Sequence, residues 1–315
     1  MYRIGVDLGG TNIAAGLVDE SYKIVRKKSV PTGADRAPEL IVADMAKLCR
    51  ALCEEAKVEL SEVISVGIAS PGIANHDTGV VEYANNLPFI NFPIASMLSE
   101  RFEGKPVYIE NDANAAALGE AVAGAAKGTR SSVMITLGTG VGGGIIIDGK
   151  VYSGFNYAGA ELGHIVIEHE GRQCSCGRKG CWEAYSSATA LIKMTNEKLE
   201  ECRARKRKTI MADAPRISGR TAFDAMRAGD EAGKEVVEMY LSYLGTGLVN
   251  IVNIFQPEMI SIGGGVSGEG QWLVDALVTK IRAEEYGHGV VPGTKVRIAE
   301  LGNDAGIVGA AVLGM

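Results

Sequence analysis

The sequence predicts an α/β protein of two lobes, and three observations carry that expectation. At about 150 residues per domain, a chain of 315 residues divides into two. Apolar runs of strand length alternate with longer amphipathic stretches, as in sheets covered by helices. The opening segment RIGVDLGGTNIAAGLVD also returns as SVMITLGTGVGGGIIID at an offset of 129, the separation of Gly9 and Gly138. Val6 then meets Ile135, Leu8 meets Leu137, Val18 meets Ile147 and Asp19 meets Asp148. Duplication is favoured over a chance match between two glycine-rich hairpins. Each half would open with a hairpin and continue through strand and helix, leaving a ligand cleft between the two glycine turns.

The elements follow in order. Residues 2–8 read as a strand, Gly9 and Gly10 as a turn, and residues 13–18 as the returning strand. Residues 37–57 place Ile41, Met45, Leu48 and Leu52 on one helical face, where Cys49 and Cys53, four apart, read as packing thiols. The apolar run 63–69 is a buried strand, and 106–110 is another that leads into an alanine-rich helix over 112–126. The second hairpin comes next. Residues 239–257, the longest uncharged run, approach membrane-spanning length. They carry Ser242, Thr246, Asn250, Asn253 and Gln256, too polar for lipid, and are expected as a buried helix. Residues 259–262 form a strand that runs into Gly263, Gly264 and Gly265. A helix over 271–284, a strand over 295–301 and a small-residue helix after Asp304 complete the chain.

With no Pro/Ser-rich linker, the domain boundary is placed near the start of the helix that Asp112 opens. Residues 1–116, rejoined by 304–315, form the smaller lobe, and 117–303 the larger one carrying a cysteine cluster. The hinge is expected at that helix start and at the 302–306 return, where the alternative for Asp304 is simple helix capping.

Composition excludes several classes. Hydrophobic residues at 46% and charged residues at 22% are ordinary globular usage, not disorder. A net charge of −6 gathers neither nucleic acid nor anionic membrane. Six Phe, two Trp and ten Tyr are few for a base-stacking platform. The basic stretch 203–208 lacks interleaved aromatics and reads as a solvated helix end. Glycine, 41 residues, is roughly twice its usual share, so turns and close backbone contacts are expected. The N-terminus meets an acid at Asp7 and shows no apolar signal segment, which points to the cytoplasm. Three of the six cysteines crowd into one short segment, which suggests metal rather than disulfides, and Cys202 reads as inert.

Four groups of residues carry chemistry. Two segments fit G-x-G-x-x-G, at Gly138, Gly140, Gly143 and at Gly263, Gly265, Gly268. The first is followed by a strand, and the second lies late in the chain with the acid expected about twenty residues on falling at Glu284 or Glu285, still in the helix, so a nicotinamide-dependent dehydrogenase is a minor alternative. Better supported is a nucleoside triphosphate held by backbone N–H groups of Gly9, Gly10, Thr11 and of Gly138, Thr139, Gly140, against plain hairpin turns. Asp7, at a strand end beside the first turn, suits Mg²⁺ or its waters, or else a turn-stabilising contact.

Asn111 and Asp112 lie where an apolar strand hands over to a helix, a usual ligand position in α/β proteins. Asp112 is either the N-cap of that helix or a base for an attacking hydroxyl, with Asn111 bonding another hydroxyl. His164, Cys174, Cys176 and Cys181 have the composition of a closed, structural zinc site, against unmetallated buried thiols. Glu161 and Glu183 flank that cluster, and folding around zinc would aim both at a polyhydroxylated ligand, against ordinary surface acids. The glycine turns are expected to lie outside the influence of this chelate.

VDLGGTN (6–12), ENDANAAALGE (110–120), LGTGVGGG (137–144), the ExGH element (161–164) and CSCGRKGCWE (174–183) together closely resemble the ROK family of repressors, open reading frames and kinases, and within it the bacterial ATP-dependent glucokinases. The resemblance spans essentially the whole chain. It implies an actin-like, ribonuclease H-like ATPase fold with a hexose in the interdomain cleft, and glucose phosphorylation at the 6-hydroxyl by ATP with Mg²⁺ and a structural Zn²⁺. By position, Asp112 resembles the catalytic base, while Asn86, Asn111, Glu161, His164 and Glu183 resemble the sugar contacts. His164 also resembles the zinc-ligand histidine, and Gly263, Gly264, Gly265 the adenosine-side loop, with Asp7, Gly9, Gly10, Thr11 and Asn12 on the phosphate side. Phe89 stands where glycine or tryptophan is common and leaves the pocket rim open. The expected partners are a hexose, ATP and a second copy of the chain in a homodimer. Kinases for N-acetylmannosamine, N-acetylglucosamine or fructose remain alternatives. A sugar-responsive DNA regulator is disfavoured because the first strand begins at residue 2, with no reader domain before it.

Overall fold

The structure, a computed structural model, describes residues 1–287 and 289–315. The chain opens as a meander of β1 (Tyr2–Leu8), β2 (Asn12–Val18) and β3 (Ile24–Pro31), followed by α1 (Pro38–Ala56) and β4 (Val63–Ser70). A small antiparallel sheet of β5 (Ile73–Asn75), β6 (Val80–Tyr83) and β7 (Ile90–Phe92) precedes α2 (Ile94–Arg101), β8 (Val107–Asn111) and α3 (Asp112–Ala123). The second hairpin is β9 (Ser132–Leu137) and β10 (Val141–Ile147), extended by β11 (Lys150–Val151). Then come α4 (Glu183–Ser186), α5 (Ala188–Ala204), α6 (Thr221–Arg227), α7 (Glu231–Phe255), β12 (Met259–Gly263), α8 (Gln271–Glu284), β13 (Lys295–Ile298) and α9 (Ala305–Ala311).

Two five-stranded sheets have the same order, β3-β2-β1-β4-β8 and β11-β10-β9-β12-β13. The sequence offset of 129 carries β2 onto the bounds of β10, and β1 and β9 end on the aligned Leu8 and Leu137. In the first sheet β1 pairs antiparallel with β2, while β1, β4 and β8 are parallel. Asp7 pairs with Ala69 and Ala69 with Glu110, so Asp7 stands two strands away from the residues that open α3. At roughly 4.8 Å per strand, that brings Asp7 and the start of α3 to one sheet edge.

The core of the first sheet sets Ile4, Val6, Leu8, Val66 and Ile68 against Ile41, Met45, Leu48 and Leu52 of α1, with Cys49 and Cys53 buried among them. The opposite face explains part of the glycine excess. A Cβ on Gly5 would fall 1.8 Å from Ile307 O, one on Gly67 1.7 Å from Ala310 O, and one on Gly309 1.6 Å from Ala115 O. Helix α9 therefore lies backbone to backbone on β1, β4 and α3.

The chain divides into two compact units: Met1–Met134 with Gly144–Ala160 and Glu300–Met315, and Ile135–Gly143 with Glu161–Ala299. The division expected at 116/117 is corrected, because that point falls inside α3, which packs along α9 and stays whole in the first unit. The return to the first unit is at Glu300 rather than 304. There the buried carboxylate of Glu120 accepts the N–H groups of Glu300 (3.1 Å) and Leu301 (2.8 Å), and that of Ala125 (2.7 Å) at the end of α3. Helix α3 stops at Ala123 rather than 126, its chain turning as Gly124 and Ala126 bond back to Glu120 O. Asp304 does not cap α9 with its side chain but pairs with Lys27.

Residues 239–257 fall largely within α7, with Tyr240, Leu244, Leu248, Ile251 and Val252 buried. Among the described residues no helix is long and apolar enough to cross a membrane. The basic stretch 203–208 runs from the last residues of α5 into the loop after it, where Lys206 takes a left-handed turn (φ 53°) and Arg207 pairs with Glu235 at 2.8 Å.

Candidate active site

In the first unit, the turn from Gly9 to Thr11 closes with Gly9 N–H on Asn12 O (2.9 Å). It is fixed from behind by buried Thr32, which donates its N–H to Thr11 O (2.9 Å) and its hydroxyl to Gly9 O (2.6 Å). The N–H groups of Gly10 and Thr11 have no partner among the described residues, as a phosphate cradle requires. Asn86 packs against this turn: a Cβ on Gly10 would meet the Asn86 Cβ at 3.3 Å. Phe89 is fully buried and stacked on Phe92 with centroids 4.8 Å apart, so it lines the core and not a pocket rim.

The start of α3 resolves the roles of its two polar residues. Asn111 is the N-cap, its Oδ1 accepting from Ala113 N–H (2.9 Å) and Asn114 N–H (3.2 Å), while its Nδ2 donates to Gly72 O (3.1 Å). Asp112 accepts from Ala113 N–H (2.9 Å) and is open to solvent. The protein packed around it raises its carboxyl pKa, against hydrogen bonds from the Ala113 and Asp112 backbone and the Asn111 side chain. Asp7 is pushed up to about 6, first by burial and then by the negative charge of Asp112, with Lys27 opposing. A buried carboxylate whose proton affinity a second carboxylate raises further makes a site suited to a divalent cation and to proton transfer.

Sequence reading missed the support beneath this pair. Buried Glu110 accepts from Asn111 N–H (2.9 Å) and Asn114 Nδ2 (3.1 Å), and its other oxygen lies 3.1 Å from His76 Nδ1. His76 meets the Tyr157 ring edge-on at 4.8 Å, and Tyr157 donates to Asp77 at 2.6 Å. The available signal was a carboxylate ending an otherwise apolar strand.

In the second unit, Gly138 N–H bonds Gly140 O (3.0 Å) to close the matching turn. Thr189 donates its hydroxyl to Thr139 O (2.8 Å) and Ala188 its N–H to Gly138 O (2.9 Å). Gly264, with φ 81°, lies against Leu137, where a Cβ would come within 2.5 Å of the Leu137 carbonyl oxygen. Gly263 and Gly265 flank it, so this loop adjoins the end of β9.

Glu161 opens the short turn Leu162–His164, and its carbonyl receives His164 N–H (3.0 Å). His164, Cys174, Cys176 and Cys181 bring their ligand atoms within 4.8 Å of one another. The loop that does this turns at Gly177 (φ 91°) and Gly180 (φ 79°), with Cys174 N–H on Arg178 O (2.8 Å). One imidazole and three thiols at this spacing fit a tetrahedral zinc ion with no ligand position left over. Burial and hydrogen bonds from the other two thiols push Cys181 up to about 12, so closing the set around a cation releases protons. Glu183 accepts Val141 N–H on Oε2 (3.0 Å) and the Ser175 hydroxyl on Oε1 (3.3 Å), and lines a cavity of about 440 Å³ with Thr139, Gly140, Cys174 and Lys193. Its carboxylate is thus already engaged with the second glycine turn.

Repeated sheets with glycine turns at corresponding strand ends, an acidic pair beside one turn and a Cys₃His cluster near the other define a nucleotide-dependent phosphotransferase of the actin-like class. The ROK family model matches residues 3–315, and the chain belongs to that family. It is 36% identical to a glucokinase of Halalkalibacterium halodurans over 99% of this chain and 94% of that one. It is 38% identical to a glucokinase of Streptomyces coelicolor over 98% and 96%. The solved ROK glucokinase of Streptomyces griseus, in complex with glucose and AMPPNP, superposes with a TM-score of 0.78 at 35% identity over 99% of both chains.

Proposed function

We propose that this chain is an ATP-dependent glucokinase that transfers the γ-phosphoryl group of ATP to the 6-hydroxyl of glucose, giving glucose 6-phosphate and ADP. The observation that carries the reading is the division of labour at α3: Asn111 caps the helix, which leaves Asp112 exposed, raised in proton affinity and beside Asp7. Full-length similarity to glucokinases, one of them solved with glucose and AMPPNP, supplies the substrates.

In the reaction, Asp112 accepts the proton of the sugar 6-hydroxyl as that oxygen attacks the γ-phosphorus, and the bond from phosphorus to the ADP oxygen breaks. Asn86, Asn111, Glu161, His164 and Glu183 are assigned to the remaining hydroxyls. Gly9, Gly10, Thr11, Asn12 and Gly138, Thr139, Gly140 are assigned to the phosphates, and Gly263, Gly264, Gly265 to the adenosine side. Mg²⁺, held through Asp7, would offset the charge on the phosphates, and Zn²⁺, held by His164, Cys174, Cys176 and Cys181, would fix the loop between Glu161 and Glu183. All six cysteines are free, which suits the reducing cytoplasm.

The test is ADP release by a coupled assay across glucose, mannose, fructose, N-acetylmannosamine and N-acetylglucosamine. Glucose is expected to give the highest kcat/KM. A preference for an acetylated sugar would replace the substrate while leaving the kinase chemistry in place.

A further inference from the structure

We propose that Glu183 is a positioning residue for the glycine turn at 138–140, and that through it the Cys₃His loop governs nucleotide binding as well as the sugar side. The inference rests on the kinase reading above and departs, for the turn at 138–140, from the expectation that the glycine turns lie outside the chelate.

Closure from within is slight: the one bond inside the turn is Gly138 N–H to Gly140 O. Its outside supports come from one short segment. Val141 N–H donates to Glu183 Oε2 (3.0 Å), Ala188 N–H to Gly138 O (2.9 Å) and Thr189 Oγ1 to Thr139 O (2.8 Å). That segment begins two residues after Cys181. Trp182, between them, is fully buried and anchored by Nε1 on Tyr243 O (3.1 Å), which fixes the backbone of Glu183 independently of any metal.

The carboxylate itself depends on the loop. Oε1 receives the Ser175 hydroxyl at 3.3 Å and lies 3.8 Å from Cys174 Sγ, both inside the loop that the four ligands close. One oxygen therefore reads the loop while the other holds the turn, a geometry in which loosening the loop frees the rotamer that serves Val141. Gly140 is part of the same fit, since a Cβ there would fall 2.3 Å from Oε2. A carboxylate that served only a sugar would have no need of an N–H on the second hairpin or of a glycine facing it.

Calorimetric titration with AMPPNP in the absence of sugar tests this, together with amide hydrogen exchange over 135–145 and zinc content. Glu183→Ala is expected to weaken AMPPNP binding at least ~10-fold and to speed exchange at Val141, since a lost bond from a charged acceptor is worth about that factor. Glu183→Gln, which keeps one acceptor, should weaken it less. Cys181→Ser, and wild type stripped of zinc by a chelator, should lose the metal and show the same faster exchange at Val141. If Glu183→Ala fails to fold, the stripped wild type decides alone: unchanged exchange at 138–141 overturns the inference. So does a folded Glu183→Ala that binds AMPPNP within twofold of wild type while its sugar KM rises, which would leave the kinase reading intact. A zinc-loaded, folded wild type that binds no AMPPNP would overturn both.

Discussion

Asp7 offers a sharp test of the electrostatics, because the same feature that readies it for a cation costs the protein stability without one. Its carboxyl is raised from an ordinary 3.8 to about 6, by burial first and by Asp112 second. The folded state therefore binds the Asp7 proton more tightly than the unfolded chain does. Between about pH 4 and pH 6 the folded state carries more protons, so stability falls as pH rises through that window and levels off above it. At ~1.4 kcal/mol per tenfold change in proton affinity, the rise amounts to about 3 kcal/mol at pH 7.5, an upper bound because Asp7 is only partly buried. Asp7→Asn keeps the volume and removes the charge. In magnesium-free, nucleotide-free buffer the variant is expected to be ~1–3 kcal/mol more stable than wild type at pH 7.5 and equal to it near pH 4, by urea denaturation followed by circular dichroism. Its turnover with ATP should fall at least ~10²-fold, the usual cost of removing a charge aimed at a developing transition state. A variant less stable than wild type at pH 7.5, or a stability difference flat from pH 4 to 8, would refute the reasoning and make Asp7 a turn-stabilising residue.

Two further substitutions separate chemistry from packing. Asp112→Asn should lower kcat by at least ~10²-fold with AMPPNP affinity and melting temperature nearly unchanged, because the capping bonds belong to Asn111; a large melting shift would return Asp112 to a structural role. Asn111→Ala should cost ~1 kcal/mol of stability, measured by denaturant titration. Gly309→Ala places a methyl 1.6 Å from Ala115 O, a backbone atom that cannot swing aside, and should destabilise by at least ~3 kcal/mol or abolish folding; soluble, wild-type-like protein would mean that α9 does not seat on α3 as described.

The regions legible in the sequence are those where one face is buried and the period is clean. Helix α1 was readable from Ile41, Met45, Leu48 and Leu52, and β4 from a continuous apolar run that is buried along nearly its whole length. Strand β3 was not, because it is an edge strand whose Arg26, Lys27 and Lys28 face solvent; edge charges guard against aggregation and erase the alternation that marks a strand. With β3 unseen, Thr32 at its end could not be recognised as the clamp on the first glycine turn. The domain boundary was illegible for a different reason. Sequence shows where a helix begins but not which surface its glycines meet, and the pairing of Gly119 and Gly309 across α3 and α9 keeps that helix whole in the first unit.

The repeat itself explains why the two glycine turns are not interchangeable. Under the offset of 129, Asp7 corresponds to Thr136, and Gly10 and Thr11 correspond to Thr139 and Gly140. Both turns keep a clamp of the same kind: a threonine hydroxyl donates to a turn carbonyl, from Thr32 to Gly9 and from Thr189 to Thr139. The charge differs. Thr136 stands where the first half has Asp7, so the carboxylate beside the first turn has no counterpart beside the second. Asp7 stands in the half that also carries Asp112, whose charge raises its proton affinity. The other half, relieved of that charge, receives its carboxylate from outside the repeat: Glu183, on the segment that follows the Cys₃His loop, bonds the backbone N–H of Val141 with one oxygen. The repeat thus supplies two glycine turns with like clamps and unlike charge. The segment after the Cys₃His loop adds to the second turn an acid whose carboxylate is engaged by a backbone N–H and a serine hydroxyl.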